Sequence, residues 1–221
     1  MKNKFLLAIS FFISSISFAQ VTPSFGVRAG ILSSGIKGDA ANSFNNLLDF
    51  SNDIVTTKNV TGFFAGGYAT IPVSGGISLE PGVFYSLKGY ELKGELNVKG
   101  IGFLGANAKA KLQSEYIDFP VVIKVTTGKL QLFAGPQFSY LMSANLNTTA
   151  GVLGFDLLNK KMDVSNQFNK LDMAVTGGIG YKLSDNINIT ASYDHGLSKI
   201  DANKNAKAYN RAFKIGVGID L

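Results

Sequence analysis

The 221-residue chain contains no cysteine, no tryptophan and a single histidine. Without cysteine there is no disulfide framework, no thiolate metal site and no thiol for lipid attachment. One histidine and no calcium-loop spacing leave only scattered carboxylates such as Asp39, Asp49 and Asp53 as metal candidates, and these read as solvated side chains. No glycine-rich loop follows a strand and opens a helix, so phosphate-cradling chemistry is not indicated. The formal charge is +6, but the lysines are scattered. They form no basic patch of the kind that marks a nucleic-acid partner. Nor does any stretch reach the eighteen or so consecutive apolar residues of a spanning helix.

What is present is glycine, aromatic residues and strict alternation. Glycine supplies 25 residues, with Phe 17 and Tyr 8. That exceeds the roughly 7% glycine of ordinary proteins and suits tight turns and close strand packing. The clearest stretch runs from Tyr116 to Val125. Ile117, Phe119, Val121, Ile123 and Val125 share one face. Tyr116, Asp118, Pro120, Val122 and Lys124 share the other. Period-two alternation with two unlike faces specifies a strand between two environments. About ten residues is the length a tilted strand needs to cross a hydrocarbon layer.

The N-terminus reads as a processing signal. Lys2 and Lys4 precede a short apolar run from Phe5 to Ile16, and Ser17-Phe18-Ala19 leads into Gln20. This pattern predicts a signal peptide at 1–19, cut between Ala19 and Gln20, and a mature domain at 20–221. A mature chain exported in this way and lodged in a membrane without a spanning helix has to be a closed barrel, because lipid satisfies no open sheet edge.

The alternating segments number eight: about 24–32, 60–71, 77–87, 115–126, 130–141, 171–183, 187–195 and 210–221. Three connections are short (72–76, 127–129, 184–186) and four are long (about 33–59, 88–114, 142–170 and 197–209). The pattern predicts an all-β, eight-stranded antiparallel up-and-down transmembrane barrel with short periplasmic turns and long extracellular loops. Eight strands enclose an interior that side chains fill. The polar faces carry Arg28, Glu80, Asp118, Lys124, Asp172, Lys214 and Asp220, which are the expected lumen charges. Both signs occur, so they can pair and offset desolvation. The competing architecture is a secreted, lipocalin-like barrel with the apolar face inside around a ligand. It would leave Phe213, Ile215, Val217, Ile219 and Leu221 wet.

The residues also carry a resemblance. Phe25-Gly26-Val27-Arg28-Ala29-Gly30, the stretch Gly62 to Tyr90 with Ile71-Pro72 and Glu80-Pro81, and Tyr116 to Lys124 resemble the PorT-like outer-membrane barrels of Bacteroidetes. So do Ala134-Gly135-Pro136, Phe138-Ser139-Tyr140, Tyr193 to Leu197 and Asn210-Arg211 to Leu221. The resemblance implies an outer-membrane barrel in the cell envelope. Its partners would be outer-membrane lipid and an envelope or secretion-machinery protein, with no nucleic acid. It implies no catalytic motif. The loops at 33–59 and 142–170 depart from it and are apolar in places. Asn45 to Phe50 has the makings of a short helix over the barrel mouth, and Val152, Leu153, Phe155, Leu157 and Leu158 mark the second loop.

One cluster invites a chemical reading. Ser192, Asp194, His195 and Ser198 lie together near the end of one strand, and a Ser–His–acid set there would suit a lipid A-modifying hydrolase or acyltransferase. Ser192 and His195 are three residues apart, however, and on a strand they point to opposite faces. The expectation is therefore a small, non-enzymatic barrel with a plugged lumen and no cofactor. It acts in envelope structure or protein–protein interaction, with a link to secretion. A narrow pore is the remaining reading.

Overall fold

The structure is a computed structural model. It describes residues 22–37, 56–96, 106–152, 155–200 and 208–221. Nine strands follow one another: β1 (Ser24–Lys37), β2 (Thr56–Ser74), β3 (Ile77–Leu96), β4 (Ala106–Thr127), β5 (Leu130–Val152), β6 (Phe155–Asp163), β7 (Leu171–Lys182), β8 (Ile187–Gly196) and β9 (Tyr209–Asp220). A single 3-10 turn, Ser165–Gln167, lies between β6 and β7. No helix among the described residues is long and apolar enough to cross a membrane.

Eight of the strands form a ring. Each pairs antiparallel with its neighbours, and β1 closes onto β9 with Val27 opposite Ile219 and Ile31 opposite Ile215. β7 follows β5 in the ring, while β6 pairs only with β5, as a flap on its far end. Two of the three short connections are sharp because glycine allows them. Gly75 (φ 55°), Gly76 (φ 83°) and Gly128 (φ 58°) occupy the left-handed region, which other residues enter at a cost. The turns are stitched to their neighbours, Thr126 N to Gly76 O and Lys182 N to Lys129 O, each at 2.8 Å.

The eight alternating segments of the sequence all lie in the ring, but β1 to β5 are longer than their alternation, β1 by a few residues and the other four by far more. β2, β3, β4 and β5 run for 19, 20, 22 and 23 residues. Much of what reads as loop at 88–114 and 142–170 is therefore strand. The first of these continues the β3–β4 hairpin to Leu96 opposite Ala106. The second forms the β5–β6 hairpin. The helix expected at 45–50, the processing signal and the carboxylates Asp39, Asp49 and Asp53 lie outside the described residues.

The apolar face looks outward. Phe25, Ile31, Val83, Ile123, Leu132, Ile179 and Val217 are each about half exposed and stand on the outer wall of the ring. Their alternating neighbours Tyr68, Phe84, Asp118, Lys124 and Gln137 are buried inside. This disposes of the lipocalin-like arrangement, which needs the reverse. Past the apolar belt the pattern flips. On β4 the inward Leu112 and Tyr116 are buried and apolar, while outward Lys109, Lys111, Gln113 and Glu115 are polar. The same holds on β5, where Ala144 is fully buried and Asn145, Asn147 and Thr149 lie outside.

Candidate functional site

The inward faces stack into layers. The layer nearest the short turns is built by β1, β2, β3, β4, β8 and β9. The guanidinium of Arg28 donates to Glu80 Oε1 at 3.0 Å, and Lys124 Nζ donates to the other oxygen of the same carboxylate. Arg28 also lies 4.3 Å over the Tyr68 ring. The Tyr68 hydroxyl donates to Asp220 Oδ1 at 2.7 Å, and Asn188 Nδ2 donates to Asp220 Oδ2 at 3.4 Å. Burial makes such pairing obligatory, because an unpaired charge in this setting is costly.

The middle layer centres on Asp118, which is fully buried. Lys88 Nζ donates to its Oδ1 at 2.8 Å, Ser139 Oγ to the same oxygen at 2.6 Å, and Ser86 Oγ to Oδ2 at 2.7 Å. Lys214 Nζ lies 3.5 Å from Asp118 and 2.6 Å from Asp194 Oδ2. Gln137 ties the pair, accepting from Lys214 at 3.2 Å and donating to Asp194 at 3.2 Å. Between these two layers sit Phe64 and Phe84, edge to face at 6.1 Å. Gly66 makes room for them: a Cβ there would fall 2.0 Å from Val83 O. The remaining cavity, lined by Arg28, Thr190, Ser192 and Lys214 among others, measures about 50 Å³. That is space for a few waters, not for a solute.

At the loop end, Asp172 accepts from Ser198 Oγ at 2.5 Å and from Asn210 Nδ2 at 2.7 Å. Above it the mouth is closed by an apolar cluster of Leu112, Tyr116, Leu141, Ala144 and Val164, with Tyr90, Leu146 and Phe168 against it. Val164 and Phe168 belong to the connection after β6. That connection is pinned by Ser165, whose Oγ accepts from Ala144 N at 2.8 Å and whose N–H donates to Asp163 Oδ1 at 2.8 Å. The Ser165 hydroxyl and backbone N–H hold the exposed Asp163 carboxyl below its ordinary value, because hydrogen bonds to a carboxylate favour the charged form.

All seven charges expected in the lumen lie on inward faces. Glu80, Asp118, Lys124, Asp172 and Lys214 are buried, Arg28 is 10% exposed and Asp220 is half-buried. Sequence reading missed two partners. A loop beginning at residue 88 leaves Lys88 out of its strand, yet it continues the inward series Gly82, Phe84, Ser86 by one more step. Beside His195, Asp194 reads as a rim acid, yet its own alternation sends it inward. The Ser–His–acid set does not assemble. Asp194 is engaged by Lys214, the Ser198 hydroxyl by Asp172, and His195 is exposed on the outer wall with its ring 6.3 Å from Tyr193. Among the described residues no group of three or more His, Asp or Glu is placed to hold a metal ion.

Comparison with solved structures returns remote likenesses. Neisserial surface protein A is 13% identical, over 90% of this chain and 99% of that one, with a TM-score of 0.46. Ail, the attachment invasion locus protein of Yersinia pestis, is 15% identical over 90% and 98%, with a TM-score of 0.44. The outer membrane protein OprG of Pseudomonas aeruginosa is 16% identical over 92% and 98%, with a TM-score of 0.36. No curated protein matches the chain. The family pattern of the outer membrane protein beta-barrel domain matches residues 18–202. With a closed ring, an apolar outer wall and a charged, filled interior, the chain belongs to that family of outer-membrane barrels.

Proposed function

We propose that this protein is a non-enzymatic barrel that acts through protein contacts in the cell envelope. The observation that carries this reading is the sealed lumen. Among the described residues two ion-paired layers and an apolar cap leave no continuous path through the ring, which speaks against solute passage. The one nucleophile and base pair weighed in the sequence is not assembled, since Ser198 and His195 point to different partners. What remains available is the polar sheet that β3, β4, β5 and β6 raise beyond the apolar belt.

The finer reading is a PorT-like protein whose partner is an envelope or secretion-machinery component. It is exported with a signal cut between Ala19 and Gln20 and anchored by outer-membrane lipid through its outer wall. Three measurements test this. The purified protein gives no conductance above background in planar bilayers. His195→Ala with Ser198→Ala leaves lipid A unchanged. Chemical crosslinking in intact cells traps a protein partner through residues beyond the apolar belt. Stable conductance, altered lipid A or an absence of protein crosslinks would each overturn the corresponding part.

A further inference from the structure

β6 has one partner. Asn145 to Val152 of β5 pair with Asp163 to Phe155, and no described residue pairs with its other side. The reason lies in the ring. β7 accompanies β5 only from Leu130 to Tyr140; beyond that β5 keeps β4 on one side, and on the other it is met by the connection after β6 and then by β6 itself. Among the described residues the far side of β6 is therefore a nine-residue edge of unpaired backbone groups. A typical strand has roughly five or six residues, and proteins commonly shorten, bulge or cover such edges. This edge carries none of those devices at Asn159–Asp163, where all five residues are exposed. Lys160 and Lys161 give the middle of this edge positive charge, the one carboxylate there, Asp163, being taken up by Ser165 at its end, and outward Lys109 and Lys111 extend the positive charge across the sheet. In register, Lys111 and Lys161 bracket Asn147 on one face.

From this we infer that β6 is a strand-addition site for an extended, acidic segment of a protein partner. Backbone hydrogen bonds along the edge would supply affinity, and Lys160 and Lys161 would supply the preference for acid. The inference deepens the proposed function and rests on its reading of a protein partner. The lysines also have a bland role, that of discouraging edge-to-edge aggregation. That role predicts no preference for acidic strands bound through the backbone, so the two can be separated.

The test uses the full mature protein in lipid nanodiscs and three synthetic probes. These are the peptide EVEVEVE, the same peptide N-methylated at alternate residues, and KVKVKVK. The expected result is saturable binding of EVEVEVE with slowed hydrogen exchange at alternate β6 amides, and loss of both with the other two. Lys160→Glu with Lys161→Glu weakens EVEVEVE binding about tenfold, while the heat-dependent gel shift of the barrel is unchanged. Equal binding of the methylated peptide, or protection lying elsewhere than β6, overturns the inference. A cellular protein crosslink that survives the double charge reversal also overturns it, yet leaves the proposed function standing. Loss of every protein crosslink in the wild type removes both.

Discussion

The two halves of β4 and β5 obey opposite rules. From about residue 117 to 140 the wall is apolar outside and charged inside. Beyond that belt, from 109 to 115 and from 143 to 149, it is polar outside and apolar inside. One continuous strand thus carries two amphipathic codes, and the solvent on each side decides which applies. Lipid surrounds the lower half, so its polar groups must find partners within the lumen. Water surrounds the upper half, so its apolar groups turn inward and cap the mouth.

The comparison can be broken or sharpened by substitution. The largest effect is expected at Asp118. Asp118→Ala strips Lys88 of its ion-pair partner and should destabilise the barrel by about 3–5 kcal/mol, read as a lower midpoint for the heat-dependent gel shift in detergent. Leu141, fully buried in the cap, comes next. Leu141→Ala should lose about 2–5 kcal/mol, measured by urea unfolding in micelles. On the outer wall, Ile123→Arg places a charge in lipid and should destabilise by about 2–4 kcal/mol. Asn147→Arg, outward in the other half, should stay within about 0.5 kcal/mol. Equal effects of these two arginines would refute the inversion. The smallest effect concerns Asp163. Its carboxyl titrates below the ordinary aspartate value when folded, so its contribution is complete above that value and fades as pH falls through the lowered one. The protection of the Ser165 amide, its exchange taken relative to the intrinsic rate at each pH, should therefore fall below about pH 4, and Asp163→Ala should remove that fall.

The same inversion explains what the sequence could and could not reveal. Within the belt, alternation is uninterrupted, and Ile117 to Val125 announces both its strand and its facing. At Lys88-Gly89 and again near Glu115 the code reverses, and a reader following one apolar face sees a strand end where the backbone continues. β6 was invisible for another reason. Its exposed edge leaves Asn159–Asp163 with no face that must be apolar, so nothing enforces alternation there. In the lumen, inward placement was legible residue by residue, but pairing was not. Asp118 and Lys214 are 96 positions apart and meet only because the ring brings β4 and β9 across one interior. Asp194 shows the limit of reading neighbours in sequence, since His195 beside it faces the opposite solvent.

The ring is closed by its two terminal strands. β1 pairs with β9, Leu221 N donates to Phe25 O at 2.8 Å, and the Tyr68 hydroxyl reaches Asp220. The seam therefore joins the first described strand to the last. The long sequence separation makes this contact slow to form, and until β9 arrives the sheet has two bare edges and an unsealed apolar wall. Without β9 the ring would have bare edges on β1 and β8 that lipid cannot satisfy, so closing this one seam is what turns an open sheet into a wall that a membrane can hold.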